Sequence, residues 1–403
     1  MAEKSNVTDT AISSPQIKKE RFEALDMLRG LTMVIMALDH SRDFFSLGFV
    51  LSSPLDLSVT NMAVFLTRWI THFAAPVFMF LAGIGLYFAS ARRTKNELAF
   101  LAFSRGLWLI FLELTIVGFF WSFSADFYYK PKVAVLFAIG ISMVAMAGLI
   151  YLPKWTIAII AVTMILGHNA LDLISPEAFG AYSWVWHLLH VPGSFFVGSF
   201  EIQVVYPFIP WIGVMAFGYV IGPIVKMPRN DRKRTFLLFG IMLIILATLL
   251  RLFNIYGDSS LWSVQHKIEF TIMSFLNFTK YPPSLIYLAY MLGSAMVLMS
   301  LLDRQLPKWL NPLQVLGRVP FLFYVLHIPI LHLGGVLLAL SVFGNADWLF
   351  QSPLGPTPES FSYGYDLLPT YIAWIAVTWM IYYICRWFAE IKSRRKDWWL
   401  SYL

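Results

Sequence analysis

The chain has one cysteine, Cys385, in 403 residues. A lone thiol forms no intrachain disulfide and builds no cysteine-based zinc cluster. Charge is scarce too. Asp, Glu, Lys and Arg make up 13% of the chain, about half of the roughly one quarter usual in soluble proteins. The sequence also lacks a P-loop, a Rossmann glycine pattern, a serine-centred elbow and the His-Glu motif of metalloproteases. No regular internal repeat is present. His187 and His190 are an i, i+3 pair beside Trp and Pro with no nearby carboxylate that calls for a metal, so no metal is expected.

Apolar residues are what the chain has in excess. They are 58% of the total, and the mean hydropathy is +0.67. This is the composition of a multi-span membrane protein. Apolar runs of about 20 residues, the length that crosses a bilayer, fall near 28–48, 72–90, 106–123, 133–151, 155–170, 205–225, 235–253, 284–302, 316–341 and 369–388. They predict an all-α bundle of about ten transmembrane helices. Residues 1–20 read as a polar flexible tail, 21–390 as one membrane domain and 391–403 as a basic tail. No short apolar core with a small-residue cleavage site follows the first tail, so a signal peptide is not expected.

The net charge of +7 fits the bias of Lys and Arg toward the cytoplasmic side of a membrane. No nucleic-acid motif accompanies it. With the N-terminus placed inside, 23 of the 30 Lys and Arg residues fall on the inner side. Both termini are then cytoplasmic. The long segments 171–204, 254–283 and 342–368 become outer loops rich in Trp, Tyr, Pro and Gly. Such aromatics suit an interfacial belt, and equally a lid or an acceptor platform.

That topology places the eight histidines away from the inner side. His40, His72, His168, His187, His190 and His266 lie in the outer half or outer loops, His327 is near the middle of the ninth span, and His332 lies further out. His40 closes the stretch Leu25-Asp26-Met27-Leu28-Arg29-Gly30-Leu31-Thr32-Met33 to Asp39-His40. Eleven helical steps separate Arg29 from His40, about 16 Å of rise and nearly the same helix face. A neutral imidazole there can take a proton from an attacking hydroxyl or amine, and Asp43 is placed to hold its tautomer. A histidine capping a polar helix end is the plain alternative. His72, at the start of the second span, is a candidate partner at similar depth, as base or transition-state stabiliser, against a structural hydrogen bond. Glu113 and His327 are mid-span. A carboxylate there needs a partner, for which Arg29, Arg105 or His327 are candidates. The cations Arg29, Arg92, Arg93, Arg105 and Arg318 line the inner boundary, where contact with lipid headgroups is the plain reading. Arg29 and Arg105 stand beside Gly30 and Gly106, where a phosphate-bearing donor can approach the backbone.

Three stretches carry a family resemblance. They are Leu25 to Met33 with the Arg29–His40 spacing, Pro76-Val77-Phe78-Met79-Phe80-Leu81-Ala82-Gly83, and Arg318-Val319-Pro320-Phe321-Leu322-Phe323-Tyr324-Val325-Leu326-His327. The chain resembles the transmembrane acyltransferase superfamily, most closely the bacterial relatives of the heparan-alpha-glucosaminide N-acetyltransferase catalytic domain. The related acyltransferase-3 group has a similar Arg–His pattern. The resemblance implies about ten helices in a bacterial inner membrane, acetyl-CoA as donor and a carbohydrate or glycolipid acceptor on the far side. A homodimer is one arrangement it admits. It associates Arg29 with the donor side and His40 with catalysis. On the residues themselves, Arg105 and Arg318 are expected to join Arg29 at the donor, and Asp43, His72 and His327 to assist His40. In the lysosomal heparan enzymes the catalytic histidine lies in the loop after the first span. This chain has no histidine between His40 and His72, so that assignment does not transfer and the base is either His40 or His72.

The expected activity is transfer of an acyl, chiefly acetyl, group to the oxygen or nitrogen of a sugar or amino sugar. A secondary transporter of a small polar solute is the rival. It predicts inverted repeats with matching helix breaks, and Gly222-Pro223 has no symmetric partner. A flippase-like protein without chemistry leaves His40 unexplained.

Overall fold

The computed structural model describes residues 22–46, 53–351, 367–395, 397 and 400. The tail expected at 1–20 lies outside them, as do parts of the expected 342–368 loop and the 391–403 tail. The described chain is helical apart from one small sheet. α1 spans Glu23–Phe45, α2 Met62–Thr71 and α3 Ala74–Ser90. α4 spans Lys95–Leu112 and is prolonged by a π-helical turn, Glu113–Val117, and an α turn, Gly118–Ser122. α5 is Val135–Leu149, α6 Lys154–Gly167, α7 Ser183–Leu189 and α8 Phe208–Ile221. α9 is Arg229–Phe253, α10 Ile268–Leu276 and α11 Leu285–Leu302. α12 is Asn311–Arg318, α13 Pro320–Phe343 and α14 Leu367–Arg394. β1 (Lys132–Val133), β2 (Gly193–Val197) and β3 (Phe200–Val204) form a sheet in the order β1-β3-β2. β1 runs parallel to β3, and β2 antiparallel.

Eight helical segments among the described residues are long and apolar enough to cross a membrane: 62–90, 95–122, 154–173, 208–226, 229–253, 285–302, 320–343 and 367–394. The chain is an all-α polytopic membrane protein. α5 is apolar but has only 15 residues. α1 has 23 but carries Glu23, Asp26 and Arg29 near one end and Asp39, Arg42 and Asp43 near the other. Eight of the ten expected spans are thus among these segments, and α1 and α5 are helices at the other two positions. The large outward-facing side chains of α9, among them Leu238, Met242, Ile245 and Leu249, suit contact with lipid.

Several boundaries differ from the sequence reading, the start of α4 at Lys95 rather than near 106 among them, and at two places proline interrupts the helix. The span expected from 316 divides at Val319, because Pro320 disfavours helical backbone in the residue before it; Val319 has φ −133°. The second span starts ten residues early as α2, then breaks at His72–Phe73 before α3. Pro76 has no N–H to give the carbonyl four residues back, and that carbonyl belongs to His72. The Tyr287 hydroxyl donates to it instead, at 2.8 Å.

Helix pairs close through glycines. Between lipid-embedded helices, small residues let backbones approach where no water-driven force exists. A Cβ on Gly30 would lie 1.8 Å from the Leu313 carbonyl oxygen, and one on Gly317 1.7 Å from that of Asp26. Gly83 and Gly218 do the same for α3 and α8, Gly106 and Gly140 for α4 and α5, and Gly240 and Gly293 for α9 and α11. These are the four most extensively packed helix pairs. One apolar core gathers around α3, α8 and α11, and another around α1, α13 and α14. α1 lies between them, with contacts to α2, α3 and α11 as well as to α12, α13 and α14.

Candidate active site

The Arg29–His40 face of α1 runs along the α12–α13 segment. At one end Arg29 donates to the Gly317 carbonyl at 3.1 Å and lies 3.4 Å from Asp26. Eleven residues on, His40 meets His327. The first and third sequence stretches therefore face each other, clamped by the Gly30–Gly317 crossing.

The His40–His327 pair has a readable proton order. His327 Nδ1 lies 2.6 Å from the Tyr324 carbonyl oxygen and 3.1 Å from that of Phe323. A carbonyl only accepts, so Nδ1 carries the proton and Nε2 of the neutral ring is an acceptor. His40 Nδ1 is 2.6 Å from that Nε2 and so donates to it. The second nitrogen of His40, Nε2, then holds an unprotonated lone pair. No described residue bonds to it. The two rings stack at 4.9 Å between centroids, and Trp121 meets His40 edge-on at 4.9 Å. His327 is fully buried, whereas His40 is partly exposed.

Asp43 does not take the orienting position expected of it. Its carboxylate accepts from Arg42 at 2.8 Å, and the His40 Nδ1 proton goes to His327. Both nitrogens of His327 are engaged, which leaves it no N–H for a developing oxyanion. Asp39 has turned away from His40, as adjacent helical positions must. It lies 2.5 and 2.7 Å from Arg68 Nη1, 2.8 Å from the Thr71 hydroxyl and 3.0 Å from Arg42.

His72 occupies the break that Pro76 produces. It is 1% exposed, and neither ring nitrogen has a hydrogen-bond partner among the described residues. Tyr287 presents its ring edge to it at 5.7 Å. His72 lines a cavity of about 400 Å³ with Arg42, Arg68, Thr279, Lys280 and Tyr281. Lys280 and Tyr281 carried no signal in the sequence reading, because their role depends on how a long loop folds back.

Glu113 finds neither an arginine nor His327. It accepts from the backbone N–H groups of Leu136 and Phe137 at 2.8 and 3.3 Å, capping the start of α5. The other histidines hold backbone or loop structure. His168 bonds to the Pro283 carbonyl, His190 to Asp172, His187 to the Val191 carbonyl and His332 to the Phe120 carbonyl. Arg318 is exposed one residue past Gly317, so it shares the α1–α12 crossing with Arg29. Arg105 lies at another crossing, next to the Gly106–Gly140 contact. No group of three or more His, Cys, Asp or Glu side chains among the described residues could hold a metal ion.

The architecture is that of a multi-pass membrane protein with ionisable groups gathered inside its bundle. Residues 21–263 match the family model described as heparan-alpha-glucosaminide N-acetyltransferase, catalytic. The match covers more than half of the chain and includes α1, α2 and α3, and the chain belongs to that family of membrane acetyltransferases. It ends before Lys280 and His327. No curated protein matches the sequence.

Proposed function

We propose that the chain moves an acyl group, chiefly acetyl, from cytosolic acyl-CoA to the hydroxyl or amine of a sugar acceptor on the far side of a bacterial inner membrane. The observation that carries this reading is the hydrogen-bond order from His40 to His327 to the Tyr324 carbonyl, which leaves the His40 Nε2 lone pair available. His40 takes the proton of the attacking group. The positive charge that forms on its ring is spread toward His327 through the Nδ1 hydrogen bond, and Trp121 limits the ring's rotation. General-base help of this kind is worth about 10²–10⁴-fold.

Arg29 and Arg318 flank the α1–α12 crossing, and two guanidinium groups suit paired phosphates. These residues would hold the donor, with Arg105 as a further contact. Bound acetyl-CoA supplies an activated thioester. The charge bias of the sequence puts this crossing on the cytoplasmic side and His40 near the opposite face.

A second reading makes His72 the base. It is favoured by the cavity that His72 lines and by its two unbonded nitrogens. Acetyl-CoA binding and CoA release by purified protein separate the possibilities. The expected result is saturable binding weakened by Arg29→Ala, with CoA release lost in His40→Ala. Full release by His40→Ala with loss in His72→Ala moves the base to His72. Absence of binding at millimolar acetyl-CoA rejects the acyltransferase reading and favours a transporter.

A further inference from the structure

We infer that the cavity beside His72 is a binding site for the negatively charged group of an acidic sugar, with Lys280 as its principal cation. This rests on the acceptor being a sugar, as proposed above, and adds that the sugar bears a carboxylate or a phosphate.

The charge count leads to Lys280. Three cations line the cavity: Arg42, Arg68 and Lys280. Asp39 is bound to Arg68 and Arg42, and Asp43 to Arg42. Two carboxylates thus answer two guanidinium groups, and the remaining positive charge is that of Lys280. Lys280 is 7% exposed, its ammonium lies 5.2 Å from the centre of the Tyr281 ring, and no carboxylate among the described residues lies within 4 Å of it. Asp56 also lines the cavity, but from the exposed rim, where its carboxylate accepts from the backbone and hydroxyl of Ser58 at 2.9 and 2.7 Å. A buried ammonium without a counter-charge is costly. An oxyanion supplies that charge, and it also accepts from a proton on the buried, unbonded His72 ring.

The wall that carries Lys280 is rigid, as a binding site requires. Asp258 accepts from the Thr279 backbone at 3.0 Å, the Thr279 hydroxyl at 2.6 Å and the Ser284 hydroxyl at 2.8 Å. Arg251, 1% exposed, donates to the carbonyls of Ser260, Phe275, Ser274 and Asn277. Asn277 in turn reaches the Leu55 carbonyl on the opposite rim. Fixed donors around a cavity are cheaper to fill than mobile ones. Tyr281, 37% exposed, adds an aromatic surface to the lining. The volume of about 400 Å³ is within the range of small-ligand pockets.

Calorimetric titration of the full chain in detergent, without acetyl-CoA, tests the inference. The probes are glucuronate, glucosamine 6-phosphate, glucose, glucosamine and inorganic phosphate. At least one sugar acid is expected to bind about tenfold or more tightly than its neutral parent, the gain typical of a charge-assisted contact. Lys280→Met should abolish that preference and Lys280→Arg should keep most of it, with the thermal midpoint of both variants checked against the wild type. Equal affinity for glucose and glucuronate, or an undiminished preference in a folded Lys280→Met, overturns the inference. Binding of inorganic phosphate with neither sugar acid overturns the sugar assignment. Sugar-acid binding that needs Lys280, in a protein that releases no CoA with any acceptor, upholds the site and rejects the acyltransferase reading.

Discussion

Two faces of α1 handle polar groups in opposite ways. On one, His40 and His327 complete each other's hydrogen bonds and end on backbone carbonyls. On the other, about 200° round the helix by the step from residue 40 to residue 42, Arg42 and Asp39 face Arg68 and a cavity in which His72 has no hydrogen-bond partner and Lys280 no carboxylate among the described residues. A chain of hydrogen bonds that ends on backbone carbonyls holds its members in one protonation pattern and leaves one lone pair, that of His40 Nε2, at its open end, whereas buried groups left unmet are the costly state. The first face is built to hold one ring in one tautomer. The second is built to be completed by something outside the chain. That contrast is the basis for proposing chemistry at His40 and recognition at His72 and Lys280.

The sharpest way to break the contrast is to remove each imidazole in turn. His40→Ala should lower the turnover number for acetyl transfer by about 10²–10⁴-fold, the usual scale for losing a general base, with little change in acceptor KM. His72→Ala should act mainly on acceptor KM, raising it about tenfold for a lost charged contact. Initial rates over a matrix of donor and acceptor concentrations give both quantities. The opposite pattern would exchange the two roles.

Asp39→Ala comes next. It leaves the Arg68 and Arg42 guanidinium groups without their shared carboxylate inside the bundle. Removing one partner of a buried pair costs about 3–5 kcal/mol, so a marked fall in the thermal midpoint in detergent is expected. Asp39→Asn should recover part of it, since its side-chain oxygen still accepts from Thr71 and Arg68. An unmoved midpoint for Asp39→Ala would mean that water already meets these cations, and the charge count that singles out Lys280 would lose its basis.

Some of this was legible in the sequence. Hydropathy located the long apolar helices, because bilayer thickness fixes helix length and composition reports it directly. The Arg29–His40 spacing gave a common helix face, and the structure sets that face against the very stretch, Gly317 to His327, that closes the sequence resemblance. Tertiary choice was not legible. Asp43, three residues on, was the expected partner of His40, and His327 takes that place. The decision fell to α13, where the i−3 and i−4 carbonyls fix the His327 tautomer. Glu113 was expected to seek a cation and instead caps α5, because a helix start two dozen residues away offered unpaired N–H groups. Lys280 carried no signal of its own. Its burial comes from Asp258 and Arg251 folding the 254–283 loop inward, which no local pattern announces.

A smaller effect sharpens the first face. His327→Ala removes the acceptor for His40 Nδ1–H, so the ring can turn or change tautomer. Turnover should drop by about tenfold or more, within the range of general-base effects. His327→Gln keeps an acceptor oxygen and should recover part of the loss. Rescue by Gln separates positioning from proton transfer, because an amide takes up no proton. Failure of Gln with retained folding would give His327 a role in moving the proton itself.

The smallest expected effect probes how the second face is held. Tyr287→Phe keeps the ring edge against His72 but removes the hydroxyl that donates to the His72 carbonyl. Pro76 cannot replace that donor. A buried carbonyl left unmet costs about 1–3 kcal/mol, so the thermal midpoint should fall modestly. The α2–α3 break should also loosen, and sugar-acid affinity should weaken before turnover does, since His40 is held from α13. An unchanged midpoint together with unchanged affinity would show that packing alone holds the break. His72 would then owe its position to its apolar neighbours, and the second face would be less prepared for a ligand than its hydrogen bonds indicate.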